Sequence, residues 1–194
     1  MNLPPMRRLF LERADLTSPE FQNWFRNSRV VDASGQPEVL YHGTVNSFDV
    51  FRNTRDVGYH FGTKQGAHDR LKHWEGDSIG GKKPQSIMPV YLSVQKPIEL
   101  HDMLNWEPPD VMKELLEQDL MTQAERDAIM IKQSRPARND ALLRFLKTKG
   151  YDGASYTNAA EDKGSKTWIV FEPWQVKSVF NRGTWDRRRG SVNE

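Results

Sequence analysis

The sequence contains no cysteine among its 194 residues. Disulfide bonds, thiolate metal ligands and a cysteine nucleophile are therefore excluded, and the absence is typical of a reducing compartment. No apolar run approaches the roughly 20 residues that a membrane-spanning helix needs. Residues 1–10 include Arg7 and Arg8 but lack the apolar core of a signal peptide. We therefore expect a cytoplasmic protein that does not contact a membrane.

The chain has no large excess of positive or negative charge, since its formal net charge is only +2. This balance gives no support for a dedicated nucleic-acid-binding protein. The chain has neither GxGxxG nor GxxxxGK[ST], which argues against a Rossmann site and a P-loop. It also lacks HExxH, and its five histidines show no spacing typical of a zinc site. We expect no bound metal.

The apolar residues of the chain fall into short segments, some with the spacing of a helix and others with the pattern of a strand. Helical spacing predicts helices starting at Ser18 and over residues 64–74, 108–133 and 139–149. Strands are predicted at 30–31, 38–42, 58–63, 88–94, 97–100, 151–156, 168–171 and 176–180. This order is not a regular βαβ series and predicts an α+β domain. We expect the strand at 168–171 to be central and the strand at 30–31 to form a hairpin with the next one.

One domain suits a chain of this length. We predict an N-terminal arm at residues 1–17, a domain at 18–183 and a polar, basic tail at 184–194 that frays. The glycine-rich loop from Glu75 to Gln85 is long for a compact domain, as functional or mobile loops often are.

The most informative stretch is Tyr41-His42-Gly43-Thr44, where an apolar strand ends in polar groups. Gly43 has no side chain, so a ligand can approach its backbone closely, and Thr44 adds a hydroxyl. This end of the strand suits a polar ring or a ribose. A surface turn explains the same residues, because a lone histidine is weak evidence for a site.

Two other strand ends carry similar groups, namely Tyr59 with His60, and Asn158 with Glu161. Buried, hydrogen-bonded histidines and a solvated loop carboxylate are the ordinary explanations for these residues. The functional interpretation requires that the fold bring the three strand ends together.

Five segments in order carry a resemblance to a known family. They are YHGT at 41–44, GYHFGT at 58–63, PVYLSV at 89–94, GYDGASYTNAAE at 150–161 and WIVFEPWQVKS at 168–178. Together they resemble ADP-ribosyltransferases of the branch that includes poly(ADP-ribose) polymerases and diphtheria toxin. Within it, they are most similar to the domains found in polyvalent proteins of phages and mobile elements. The resemblance implies a split β-sheet, flanking helices and a central cleft for NAD⁺.

The resemblance also implies roles for individual residues. His42 matches the histidine that hydrogen-bonds an NAD ribose, Gly43 the glycine whose backbone holds the nicotinamide carboxamide, and Thr44 the neighbouring hydroxyl. His60 stands where the family usually has a tyrosine, and its imidazole can stack on nicotinamide or bond the ribose. We therefore predict that His42 and His60 are catalytic as well as cofactor-binding residues. Tyr59 is predicted to bind the cofactor too, although it is expected to face the other side of the strand.

The catalytic carboxylate departs from the polymerase-like pattern, which would place a glutamate at Thr167. The polyvalent-type pattern Tyr-x-Asn-x-x-Glu instead fits Tyr156, Asn158 and Glu161. We therefore predict Glu161 as the catalytic acid, with Asp162 as the second choice, and Asn158 as a cofactor-binding residue.

The implied activity is NAD-dependent transfer of ADP-ribose to a macromolecular acceptor, with a protein acceptor favoured and nucleic acid left open. A phage or bacterial effector acting in a host cytoplasm follows from the resemblance alone. Three alternatives use the same fold: an NAD glycohydrolase, an inactive binding module without the carboxylate, and an RNA 2′-phosphotransferase-like enzyme. For the pyrophosphate, Arg70 and the lysines of Gly80-Gly81-Lys82-Lys83 are candidates, although a solvated surface is typical of such residues.

Overall fold

The computed structural model describes residues 13–52, 56–75 and 85–194. Most of the predicted loop from Glu75 to Gln85, including Lys82 and Lys83, lies outside the described residues. In chain order the strands are β1 (Leu40–Thr44), β2 (Tyr59–Phe61), β3 (Ser86–Leu92), β4 (Pro97–Glu99), β5 (Gly153–Thr157), β6 (Lys166–Val170) and β7 (Val176–Ser178). The helices are α1 (Pro19–Phe25), α2 (Lys64–Glu75), α3 (Pro108–Glu117), α4 (Gln123–Met130) and α5 (Arg135–Thr148).

The strands form two separate sheets, so the predicted α+β class with a split sheet is confirmed. One sheet has the order β1-β3-β7 and the other the order β2-β6-β5-β4. All neighbours are antiparallel except β4 and β5. The strand β6 lies between β2 and β5, which confirms the prediction that it is central.

A backbone bridge joins the two sheets where β1 meets the end of β2. The amide of Tyr41 donates to the carbonyl of Gly62 at 2.8 Å, and the amide of Gly62 donates back at 3.1 Å. This isolated bridge holds the sheets together at one end. Beyond it, the strands diverge and leave a cleft between them.

Helix boundaries follow the capping residues more closely than the apolar pattern. The predicted helical stretch 108–133 is divided into α3 and α4, because Thr122 and Glu125 form a capping box that starts a new helix. The helix α5 begins before the predicted Asn139, since Ser134 caps its first turn. The start of α1 is as predicted, with Ser18 accepting from the amide of Phe21.

The predicted hairpin that starts at Val30-Val31 forms only around its turn and does not extend into β1. Val31 forms only an isolated bridge with Pro37, and the amide of Glu38 donates to the carbonyl of Val30 at 3.1 Å. The turn between them therefore closes on itself, and β1 pairs with β3 instead.

The basic tail packs onto the domain, so the expectation that it frays is wrong. Trp185 is buried in an aromatic cluster with Phe21 and Trp24 of α1. Val192 is buried as well. The ammonium of the fully buried Lys177 donates to the carbonyls of Arg189 and Ser191, at 3.0 and 2.7 Å.

The same tail fixes the segment that follows β1. The Asp49 carboxylate accepts from the Ser191 hydroxyl at 2.9 Å and from the Asn193 amide at 2.7 Å. The backbone amide of Val192 donates to the Asp49 carbonyl at 2.8 Å. Residues 46–52 are thereby tied to residues 191–193 near the C-terminal end of the sequence.

No helix in the described ranges is long and apolar enough to cross a membrane.

Gly43 is the position at which β1 and α2 come closest. A Cβ atom there would lie 2.6 Å from the carbonyl oxygen of Ala67 and 3.0 Å from a side-chain carbon of Leu71. The side-chain position of this glycine is therefore occupied by the helix, and only its backbone is left to face the cleft.

We predict that Gly43→Ala lowers the free energy of unfolding by about 1–3 kcal/mol, because α2 must shift away from β1. Gly66→Ala, on α2 itself, is the matched control, since an added Cβ there would make only ordinary contacts. The control should be neutral or stabilising by up to about 1 kcal/mol. Chemical denaturation of both variants measures the difference, and equal stabilities would contradict the packing argument.

Candidate active site

A cleft of about 590 Å³ opens where the two sheets diverge, within the range typical of small-molecule sites. Its walls contain every predicted site residue, from three separate parts of the chain: His42, Gly43, Thr44, Tyr59, His60, Asn158 and Glu161. The fold therefore brings together the three strand ends that the sequence interpretation required.

His42 projects from β1 into the gap between the sheets. Its Nδ1 lies 2.9 Å from the carbonyl oxygen of His60, and because a carbonyl only accepts, Nδ1 must carry the proton. Burial lowers the pKa of His42, helped by the positive charge of Arg70. The neutral ring therefore keeps Nε2 as a hydrogen-bond acceptor. Its sides contact Phe48, Phe51 and Phe61.

The backbone of Gly43 faces the same gap. Backbone groups alternate sides along an antiparallel strand, and those of Tyr41 point to Gly62 on the β2 side. The amide and carbonyl of Gly43, two residues on, therefore also point toward β2. The His60 carbonyl opposite is taken by the His42 ring. Gly43 thus presents a donor and an acceptor at the point where the strands separate.

Thr44 ends β1 with a buried hydroxyl. The hydroxyl accepts from the amide of Asn46 at 3.0 Å and lies 3.2 Å from its carbonyl. These hydrogen bonds close the turn that leads into residues 46–52.

The two neighbours on β2 face opposite sides. Tyr59 packs beside Phe51 and donates its hydroxyl to the Phe51 carbonyl at 3.3 Å. His60 packs on the other side, edge-on to Trp106 and Tyr156, with Nδ1 at 3.4 Å from the Tyr156 hydroxyl. Burial, with a smaller contribution from the charge of Arg70, lowers the pKa of His60 to about 3.

Asn158 organises the loop between β5 and β6. Its side-chain oxygen accepts from the amides of Ala160 and Glu161, at 2.9 and 2.8 Å. Its side-chain nitrogen donates to the Thr167 hydroxyl at 3.2 Å and to Glu161 Oε2 at 3.3 Å. These four contacts use the hydrogen-bonding capacity of the amide within the loop, so the contacts favour a positioning role over direct cofactor binding.

Glu161 is the carboxylate that this loop delivers to the cleft. Besides its contact with Asn158, its Oε1 lies 3.2 Å from a guanidinium nitrogen of Arg70 on α2. Arg70 also lies 3.9 Å from Asp56. One carboxylate oxygen is therefore held by an amide of its own loop and the other by a cation of α2.

Asp162, the second choice for the catalytic acid, is not among the residues that line the cleft. Its carboxylate accepts a hydrogen bond from the hydroxyl of Thr63. The same hydroxyl accepts a hydrogen bond from the amide of Gly66 in the first turn of α2. The backbone of Asp162 is left-handed, with φ of 49°. Its contacts anchor the loop to α2.

Sequence reasoning missed two residues of the site. The Asp102 carboxylate accepts from the amides of Ala159 and Leu104, at 2.8 and 3.0 Å, and so braces the Glu161 loop. Trp106 packs on Tyr156 with ring centroids 4.5 Å apart. Both belong to the segment after β4, and no local motif distinguishes them in the sequence.

The described residues contain no group of three or more histidine, aspartate or glutamate side chains arranged to hold a metal ion.

Comparison with known proteins places the chain in a family. The model for ADP-ribosyltransferase domains of polyvalent proteins matches residues 32–185. The chain therefore belongs to this family, and the suspected resemblance is confirmed. No curated protein matches the chain. The chain is also similar to a solved structure described as an anti-CRISPR protein, with 12% identity and a TM-score of 0.31, over 72% of this chain and 91% of that one.

We predict that His60 makes the protein acid-sensitive. Because its pKa falls from 6.5 to about 3 on folding, the unfolded chain binds the extra proton between these values. Stability is then lost as the pH falls below 6.5, by about 1.4 kcal/mol per pH unit. Denaturant unfolding of wild type and His60→Gln between pH 7 and 4.5 checks this. The slope should be shallower in the variant, and equal slopes would contradict the prediction.

Proposed function

We propose that the protein is an NAD-dependent ADP-ribosyltransferase that modifies a macromolecule, with a protein as the favoured acceptor. Membership of the family supports the class of activity. The observation that carries the proposal for this chain is that Glu161 and the neutral His42 line one cleft, although they are 119 positions apart in the sequence. A phage or bacterial effector role is part of the proposal and rests on the family resemblance.

In this proposal, the backbone donor and acceptor of Gly43 hold the nicotinamide carboxamide. Nε2 of His42 accepts from a ribose hydroxyl, since Nδ1 is committed to the His60 carbonyl. His60 and Tyr59, on opposite sides of β2, line the cleft beside this position. These groups orient the nicotinamide–ribose bond for cleavage.

Cleavage breaks the bond between the ribose C1 and the nicotinamide nitrogen, and the electron pair leaves with neutral nicotinamide. Positive charge develops on the ribose, as in glycoside hydrolysis. The Glu161 carboxylate, hydrogen-bonded to the ribose 2′-hydroxyl, stabilises that charge in the transition state. An acceptor nucleophile then bonds to C1 and releases its proton to the surroundings.

Thr167 kept the inactive-module alternative open, because it occupies the position of the polymerase-like glutamate. Thr167 is buried on β6 and accepts from Asn158, which in turn contacts Glu161. The loop contacts thus support the proposal that a carboxylate reaches the cleft from the loop in place of one on the strand. The glycohydrolase alternative differs only in using water as the acceptor.

We predict that Glu161→Gln retains NAD⁺ binding and folding but loses about 10²–10³ in turnover, by analogy with the loss of one transition-state-stabilising group. Nicotinamide release from NAD⁺, measured with and without host lysate, reports turnover. Asp162→Asn tests the second acid, and Glu117→Gln on the exposed side of α3 is a charge-matched control.

Release that requires both lysate and Glu161 supports the transferase, whereas release without lysate favours the glycohydrolase. If wild type binds NAD⁺ but releases nothing in either condition, the binding module is favoured. Near-normal turnover by Glu161→Gln would reject the assigned carboxylate.

We also predict that His42→Ala weakens NAD⁺ binding by about three- to tenfold, because one buried hydrogen bond to the ribose is lost. His68→Ala, an exposed histidine on α2, is the control and should bind like wild type. Isothermal titration calorimetry measures both. Unchanged affinity in the His42 variant would count against its ribose contact.

A further inference from the structure

Arg70 has a position in the cleft that the proposed chemistry does not use. It projects from α2, and its guanidinium contacts Glu161 at 3.2 Å and Asp56 at 3.9 Å. Each contact involves a different nitrogen, and neither is a bidentate pair. The side chain is also 49% exposed. Arg70 therefore keeps donors that a ligand in the cleft can reach.

The charged residues that line the cleft indicate which kind of ligand Arg70 can bind. Among the described lining residues, the cations are Arg52 and Arg70, whereas Asp56, Asp102 and Glu161 are acids. A dinucleotide carries two negative charges on its pyrophosphate and needs a cation there. Guanidinium groups suit this task because their planar donors match phosphate oxygens.

The ion pair with Glu161 also restrains the carboxylate. Oε1 is held by Arg70 and Oε2 by Asn158, so one acceptor site of each oxygen is used before a ribose hydroxyl arrives. An ion pair with one half-exposed partner contributes little free energy and is easily exchanged. A doubly charged pyrophosphate is a stronger partner for Arg70 than a single carboxylate.

We propose that Arg70 is a positioning and specificity residue that exchanges partners: it pairs with Glu161 in the empty cleft and moves to the pyrophosphate of a bound dinucleotide. The exchange frees Oε1 of Glu161 for the ribose hydroxyl only when a pyrophosphate is present. It therefore selects dinucleotides over nicotinamide nucleosides. This inference rests on the proposed function, because it assumes that the cleft binds NAD⁺.

The first test compares ligands with and without a pyrophosphate by calorimetry. Arg70→Met should weaken the binding of NAD⁺ and ADP-ribose by about tenfold or more, as expected for a charge-assisted contact. The affinity for nicotinamide riboside, which has no pyrophosphate, should instead rise by about two- to fivefold, because Oε1 of Glu161 no longer pairs with a cation. The matched control is Arg135→Met, which removes another Arg–Glu pair, with Glu107, and neither of these residues lines the cleft.

The second test isolates the exchange from simple phosphate binding. If Arg70 must leave Glu161, then Glu161→Gln should tighten ADP-ribose binding by about two- to fivefold, the usual strength of such a pair. That gain should disappear in the Arg70→Met background. A double-mutant cycle with the four proteins measures the coupling directly.

The outcomes separate the two proposals. An unchanged affinity in Glu161→Gln, or a gain that persists without Arg70, overturns the exchange while NAD⁺ binding by wild type still supports the cleft. Equal losses for nicotinamide riboside and ADP-ribose in Arg70→Met would mean a general structural effect and would also overturn it. Wild-type protein that binds neither NAD⁺ nor ADP-ribose overturns the proposed function and this inference together.

Discussion

The cleft depends on one interrupted strand pairing. β1 and β2 exchange two backbone hydrogen bonds at Tyr41 and Gly62 and could continue as neighbours in one sheet. At the next position along β1, the imidazole of His42 takes the carbonyl of His60, which the backbone of Gly43 would otherwise meet. A side chain therefore replaces a backbone partner, and the two sheets open. The same substitution fixes the tautomer of His42 and leaves the Gly43 backbone facing the cleft.

The opposite wall includes a loop that the side-chain amide of Asn158 organises through four hydrogen bonds. Asn158 bonds to two backbone amides ahead of it, to a hydroxyl on the next strand and to the carboxylate of Glu161. Asp102 holds the same loop from outside, and Asp162 holds it to α2. A carboxylate on a loop can be as well placed as one on a strand when the loop is braced from three directions.

The α+β class and the strand ends that form the site were predictable because they depend on local patterns. The apolar run before His42 and the glycine after it mark the end of a strand wherever the strand lies in the fold. The extent of the hairpin after Val31 could not be predicted, because the local pairing stops at Glu38 and β1 pairs with β3, which lies far along the chain. Asp102 and Trp106 could not be predicted, since their role arises only from packing beside β5.

The cleft needs more of the chain than the family motifs cover. The recognisable motifs end at Ser178, but Asp49 is held by Ser191, Val192 and Asn193. Asp49 belongs to the segment that supplies Phe48, Val50 and Phe51 to the wall around His42. A chain cut after Gly183 would keep all of the residues assigned to NAD⁺ and would lose the anchor of the wall beside them. Residues 191–193 therefore support one wall of the cleft, although none of them lines it.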